Sequence, residues 1–519
     1  MPNNREVIVK VDKNPAPWHN RHQNVVVDNF KRFYDIETPN PRDETQIIGD
    51  LRLTVAALKK IIGEADAAGV RLRCIGGAWS LSEVVKTDGW LINTRALNLY
   101  TPLGSSHVDD RYEATRNYRF LVYAQCGISV QELNKALANV SMALKTSGAS
   151  NGQTIAGAVA TGTHGSAYQF GSMTEYIVGI HLITGPGPDD NVWLERESYP
   201  VVTEKFMNVM GTRHIPSDEL FNAALVSFGS CGIVHGVLIE AEPIYLLEAK
   251  RKRFPLDAVL RKAMRTLDFT QLLPGAANPC HFEVNFNPHD LAPDTTAKGP
   301  YVTTMYRREC PLTYRETPLT SGQLAAGNSL LSVMGKLTEH LDEGSVAALV
   351  NLLFKFNFNE FDQKLGTPGE TFPTTDLEGK AMSMELGVAL EDAEKVLNIL
   401  LNAKPEVNVY AGVFSFRYVK RSSALLGFTR FDTTCTVEFN AAHNDRTLAY
   451  YRRVWDDLQK QNIPYTLHWG QMGNYSPGHV LAMYGPQVIQ DWKKARAKLL
   501  SPAMQKVFSS PFLEQCGLA

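Results

Sequence analysis

Residues 146–167, TSGASNGQTIAGAVATGTHGSA, narrow the possible folds more than any other stretch of this chain. A run so dense in Gly, Ala, Ser and Thr has too few large side chains to build a core, and suits a backbone that approaches something closely. A second stretch, RCIGGAWS at 73–80, brings a short apolar strand into the pair Gly76-Gly77. Three nucleotide-binding patterns compete for these loops. The dinucleotide fingerprint G-x-G-x-x-G occurs in neither. The P-loop spacing is met by Gly157 and Gly162, but Thr163 and His164 follow where Lys and Ser/Thr are required. The third pattern is a nest of backbone N–H groups around a pyrophosphate, with Gly76 and Gly77 on one side and Gly157, Gly162 and Gly165 on the other. Either loop alone also serves as a tight structural turn; their pairing across intervening strands favours the nest.

At 519 residues the chain exceeds what one core organises, so more than one domain is expected. SVQELNKALANVS reads as a helix opened by a capping box, Ser129 with Glu132. The texture changes near residue 250, at AKRKRFPLDAVLRKAMRTL. Residues 281–306 and 409–440 then alternate like strands, with helical runs between them, an α+β pattern of a sheet covered on one side by helices. Formal net charge is −2, with 44% apolar and 20% charged residues, which gives no reason to expect nucleic acid as a partner. Seven scattered cysteines form no C-x-x-C pair, and HNRH at 19–22 lacks further ligands, so no metal is expected. The N-terminus has no apolar signal-like core and no run spans a bilayer, so the expectation is a cytoplasmic protein without a membrane span.

RCIGGAWS, GQTIAGAVATGTHGS, LFNAALVSFGSCGIVHGVLIEAEP and LHWGQ follow one another in an order seen before. On these motifs the chain resembles FAD-dependent oxidoreductases of the vanillyl-alcohol oxidase (PCMH-type) superfamily, most of all the sugar-lactone and alditol oxidase branch. The resemblance is strong over about residues 30–245, moderate over the last 80 and weak between. It implies an α+β, two-domain fold: an FAD-binding domain over 1–250, a substrate or cap domain over 251–444, and a segment 445–519 returning to the FAD side. It also implies that Ile75, Gly76, Gly77, Ala78, Trp79 and Ser80 wrap the FAD pyrophosphate. Gln153, Thr154, Gly157, Thr161, Gly162, Thr163, His164 and Gly165 would lie on its other side, with Gly232, Ile233 and Val234 near the nucleotide. Many relatives carry a histidine, covalently joined to the flavin, where this chain has Trp79. An indole offers no comparable nucleophile and residues 146–167 hold no cysteine, so FAD is expected to be bound noncovalently. Gly148 aligns where a small residue admits oxygen in related lactone enzymes, which makes oxygen the expected acceptor.

Related sugar oxidases carry E-x-R, then H-x-T 21 residues beyond that arginine, then HWGK. Here these read Ser415-Phe416-Arg417, Glu438-Phe439-Asn440 and His468-Trp469-Gly470-Gln471. The resemblance thus assigns Arg417, Glu438 and His468 to catalysis, and Ser415, Asn440 and Gln471 to substrate. Arg417 can stabilise a developing alkoxide and Glu438 can take a hydroxyl proton; the competing reading is a cross-strand ion pair. His468 reads equally as a brace for its loop. His164 is expected to brace the second loop, and Glu385 to orient the helix after it. The expected activity is oxidation of a small-molecule alcohol (polyol, sugar, lactone or sterol-like) by hydride transfer to FAD. A quinone- or cytochrome-linked dehydrogenase and a noncatalytic flavin-binding protein are the alternatives.

Overall fold

The computed structural model describes residues 7–38, 44–114, 116–292, 294–317, 340–372, 381–403 and 410–519. The first half builds two sheets. Strands Ile8–Asp12, Arg32–Glu37, Trp90–Ala96 and Leu72–Ile75 lie side by side in that order, the last three parallel. Six further strands order as Arg213–Pro216, Asn191–Glu195, Ile177–Ile183, Ile233–Glu240, Leu121–Gln125 and Tyr100–Pro102. Helix Glu44–Ala67 buries Leu58, Ile61 and Ile62, all essentially inaccessible, in a core shared by residues of both sheets. The helix anticipated at residue 130 spans Val130–Ala138, and Ser129 and Glu132 form the expected capping box.

The second half is organised by an antiparallel sheet of eight described strands. Their order is Phe361–Gly366, Tyr245–Arg253, Tyr301–Glu309, His281–Phe286, Gly412–Lys420, Thr433–Ala442, Ala381–Ala389 and Tyr465–Leu467. The period-two alternation of sequence splits it into two unlike faces. Phe282, Val284, Phe286, Phe414, Phe416, Val437, Phe439, Met384 and Leu386 all point one way and are fully buried. They pack with Val396, Leu397 and Leu400 of helix Ala393–Asn402, and with Tyr450, Tyr451 and Val454 of helix Asp445–Lys460. Truncating any of these phenylalanines to alanine costs about 3–5 kcal/mol. The intervening positions are polar, and they face the first half of the molecule.

The chain does not leave the cap at residue 445. Helix Asp445–Lys460 packs on the cap sheet, and Tyr465–Leu467 pairs with Ala381–Ala389 at its edge. The return begins immediately afterwards. Gly470 O accepts from Leu81 N–H at 2.8 Å, and Trp469 O accepts from the Ser82 hydroxyl at 2.5 Å. Helix Pro477–Leu499 then docks on helix Asp218–Leu225, with Trp492 Nε1 donating to Ala223 O and Arg496 Nε to Ser230 O.

Candidate functional site

The Leu72–Ile75 strand delivers the chain into Gly76 and Gly77, and Thr154 caps the helix Ile155–Thr161 opposite them. The two loops touch so closely that glycine is obligatory. A Cβ on Gly76 would stand 2.2 Å from Thr154 Oγ1, and one on Gly152 would stand 2.4 Å from Trp79 Cζ2. Ala78 is held at φ 59°, a conformation that disfavours any residue with a Cβ. Hydrogen bonds from the N-terminal segment offset that strain: Arg21 N to Ala78 O, Asn20 Nδ2 to Ser80 O and Asn24 Nδ2 to Leu81 O.

Between the loops lies a groove whose empty space, counting the part open to solvent, is about 1270 Å³. Of the residues expected at a cofactor, Ile75, Gly76, Gly77, Ala78, Trp79, Ser80, Gln153, Thr154, Gly157, Thr161, Thr163, Gly232, Ile233 and Val234 line it. Gly148 and His164 instead line a second, adjoining cavity, whose empty space, again counting the part open to solvent, is about 1400 Å³. Gly162 and Gly165 line neither: Gly162 ends the helix with φ 78°, and Gly165 lets the chain cross the Ser147 carbonyl, which a Cβ would meet at 2.4 Å.

The first cavity fits FAD on its own chemistry. Arg73 is 4% exposed; two backbone carbonyls, Val84 O and Phe228 O, accept from its Nη2, while Nε and Nη1 have no partner. Burial pulls its pKa down to about 10, so it remains a cation facing the groove, suited to a pyrophosphate. Trp79 Nε1, Gln153 Oε1 and Gln471 Oε1 are likewise buried without partners where the two cavities meet. These orphaned donors and acceptors are what an isoalloxazine rich in carbonyls and ring nitrogens would satisfy.

The polar face of the cap sheet forms the wall of the second cavity. Arg417, Ser415, Glu438, Asn440, His468 and Gln471 all line it, together with Glu283, Asn285, Arg251, Ser383 and Glu385. Ser415 pairs directly with Glu438 across the strands, which leaves Arg417 and Glu438 as diagonal neighbours on one face. The Arg417 guanidinium meets three carboxylates: Glu438 Oε2 at 2.5 Å, Glu283 Oε1 at 3.0 Å and Glu385 Oε1 at 3.5 Å. Burial opposes its charge, but the carboxylates outweigh that and raise its pKa. At half-buried Glu283 shielding from solvent favours the neutral form, yet Arg417, His281 and Arg251 hold its pKa below the ordinary value. Ser415 donates to Asn285 Oδ1 at 2.7 Å, leaving Asn285 Nδ2 without a partner at the cavity wall.

Glu385 sits in the middle of the Ala381–Ala389 strand and is 3% exposed, so it does not orient the helix that follows. Its Oε1 lies 3.0 Å from His164 Nε2. His164 Nδ1 is 2.8 Å from Gly165 O, which can only accept, so Nδ1 carries hydrogen. His164 Nε2 is thus left facing that carboxylate oxygen, although Glu385 Oε1 has no well-aligned hydrogen bond. Burial favours neutral Glu385, but His164, His468 and Arg417 pull its pKa down to about 2, so Glu385 is a carboxylate. His468 is fixed differently. Its Nδ1 accepts from Gly470 N–H at 3.0 Å, so the neutral ring carries hydrogen on Nε2, and burial lowers its pKa to about 4. The ligand atoms of His164, Glu385 and His468 lie within 4.8 Å of one another, a spacing that could accept a cation. With the His468 Nδ1 lone pair engaged and a guanidinium already beside Glu385, the geometry suits a proton better than a metal.

Sequence reading passed over Glu283, Asn285, Arg251 and Arg73. HFEVNF carries the missing signal, since Glu283 and Asn285 alternate with apolar residues that are fully buried.

Most of the residues lining the groove lie within the part of the chain that matches a known cofactor-binding family. Residues 53–188 match the FAD binding domain family. Among named relatives, the chain is similar to the D-arabinono-1,4-lactone oxidase of Debaryomyces hansenii, 23% identical over 40% of this chain and 34% of that protein. It is also similar to the L-gulono-1,4-lactone dehydrogenase of Mycobacterium tuberculosis, 24% identical over 41% of this chain and 42% of that one. These matches span about a third to two-fifths of the relatives' own lengths. Over its whole length the fold resembles a solvent-stable cholesterol oxidase, with TM-score 0.68, 14% identity and 100% of both chains covered. The cholesterol oxidase of B. sterolicum gives 0.65, 12% and 99% of both.

Proposed function

We propose that this protein oxidises a small-molecule alcohol. The observation that carries this reading is a pair of cavities that share Trp79, Gln153, Thr163, His468 and Gln471 as a common wall, with the groove on one side and the Arg417 cluster on the other. FAD bound in the groove supplies the two-electron acceptor for a carbinol hydride. Arg417, positioned by three carboxylates, stabilises charge developing on the substrate oxygen. Glu438 commits Oε2 to Arg417, while its Oε1, 3.4 Å from the Ser383 hydroxyl, takes the hydroxyl proton. His468 presents an N–H to the cavity and acts as a donor rather than the base. Ser415, Asn440 and Gln471 orient substrate hydroxyls. The polar wall argues for a substrate with several hydroxyls, as in the sugar-lactone relatives, over a sterol.

The flavin is held noncovalently, with Trp79 edge-on to His22 where many relatives place their linking histidine. Oxygen is the acceptor, giving hydrogen peroxide. Gly148 lines the second cavity, and a Cβ there would reach Thr163 Cγ2 at 3.1 Å. A cytoplasmic location accords with seven cysteines that are all free.

Anaerobic mixing of the holoprotein with polyols and sugar lactones should bleach the flavin. Glu438→Gln should slow that bleaching by about 10²-fold. Bleaching at the normal rate in a less stable variant would leave the pair a structural bridge. Gly148→Ala should slow reoxidation of the reduced protein by air without changing its reduction; reoxidation of the native protein over many minutes would favour a quinone or cytochrome acceptor.

A further inference from the structure

Two buried arginines in this molecule have no carboxylate partner at the site they line. Arg73 faces the cofactor groove. The other, Arg251, is 5% exposed and lines the second cavity. Its Nε donates to Thr303 Oγ1 at 3.0 Å, and its guanidinium lies 5.2 and 5.3 Å from the ring centres of Phe358 and Phe361. Among the described residues no carboxylate lies within ion-pair distance of it. Its neighbours differ: Arg253 meets Asp290, Arg307 meets Glu242 and Arg308 meets Glu248. A guanidinium taken out of water without a counter-charge is costly, and burial lowers its pKa, with Glu283 only partly opposing that.

Position makes this cation useful. Arg251 faces Thr303, Thr303 faces Glu283, and Glu283 faces Arg417 in register across four strands. Arg251 and Arg417 therefore stand on one polar face, three strand spacings or roughly 14 Å apart at the backbone. The cavity's carboxylates are engaged at the Arg417 end, Glu283 and Glu438 by the guanidinium and Glu385 by His164 as well. The Arg251 end is thus the positive end of the cavity. Two aromatic rings hold its planar fork in place, which lowers the entropic cost of gripping a planar or tetrahedral anion.

We propose that the substrate carries an anionic group, a carboxylate or a phosphate, that docks on Arg251 at the end of the cavity away from Arg417. This rests on the alcohol-oxidation reading above and narrows its substrate to an anionic polyhydroxy alcohol.

The test compares D-glucitol, D-gluconate and D-glucitol 6-phosphate as probes of the holoprotein, followed anaerobically by perturbation of the flavin spectrum. At least one anion should bind about 10-fold or more tightly than glucitol, in keeping with a charge-assisted hydrogen bond. A preference for gluconate identifies a carboxylate site, and one for the 6-phosphate a phosphate site. Arg251→Met should remove the preference, while Arg251→Lys, which keeps charge without the fork, should retain part of it. Equal affinity for all three probes, failure of all three to perturb the flavin, or an Arg251→Met variant that weakens all three alike would overturn the proposal. If an anion is preferred but the flavin stays oxidised, the docking site stands and the alcohol-oxidation reading falls.

Discussion

Replacing Arg417 with methionine removes a buried cation from among three carboxylates at 2.5, 3.0 and 3.5 Å, of which Glu385 is buried and Glu438 and Glu283 are half-buried. Methionine matches much of the volume, so the loss is electrostatic rather than a cavity. Breaking a buried ion pair from one side costs about 3–5 kcal/mol. For a unit the size of the cap, each kcal/mol moves the melting temperature by about 2–4 °C, so a fall of roughly 6–20 °C is expected at pH 8. The pH dependence distinguishes this mechanism from general damage. In the native protein Glu283 and Glu385 have lowered pKa values, so their contribution is present above the unfolded value and lost as pH falls through the folded one. Without Arg417, burial governs Glu283 and its folded pKa rises above the unfolded value. Its contribution then survives below the unfolded pKa and is lost as pH climbs through the folded one. The stability gap between native and variant protein should therefore widen between pH 5 and pH 8, by about 1.4 kcal/mol per pH unit within the titration window. Urea unfolding of the holoproteins at both pH values, followed by tryptophan fluorescence, measures it. A gap that stays constant, or narrows towards pH 8, would refute the reasoning.

Acid precipitation should release the flavin into the supernatant, because Trp79 offers no site for a covalent link; a yellow pellet would contradict this. Arg73→Met should weaken FAD binding by about 10-fold or more, measured by equilibrium dialysis of the apoprotein. Unaltered binding would mean that the unpaired Arg73 nitrogens do not meet the pyrophosphate.

The FAD loops were legible because their constraint is on the backbone. Where a Cβ on Gly76 or Gly152 would stand 2.2 or 2.4 Å from a neighbour, no other residue serves, and the requirement is written into the sequence. Gly162 and Gly165 look identical in composition but answer local demands, a helix end and a chain crossing, which spacing cannot distinguish. The cap site was half legible. Arg417 and Glu438 share a face because strand alternation brings them there, and motif spacing indicated as much. Glu283 and Arg251 join them only through strand order, since more than 130 residues separate Glu283 from Arg417. Glu385 was misread because SMELGVAL suggests a helix start, whereas its strand is fixed by pairing on both sides, with Thr433–Ala442 and with Tyr465–Leu467. The contact between His164 and Glu385 is likewise invisible in sequence, because 221 positions separate loop and strand and only the fold brings them to 3.0 Å.

The passage of the chain from Tyr465–Leu467 straight to the bonds made by Trp469 and Gly470 has a mechanical consequence. Within six residues one strand is stitched into the cap sheet and its continuation is riveted to Leu81 and Ser82, beside the flavin loop. Trp469 is itself clamped between the rings of Tyr475 and Tyr484. At this edge the cap cannot swing away from the groove without tearing out a buried tryptophan. The cap sheet is anchored over the groove at this edge. The distance from the Arg417 cluster to the cofactor groove is there set by the fold itself, as the strand and the two backbone bonds form together.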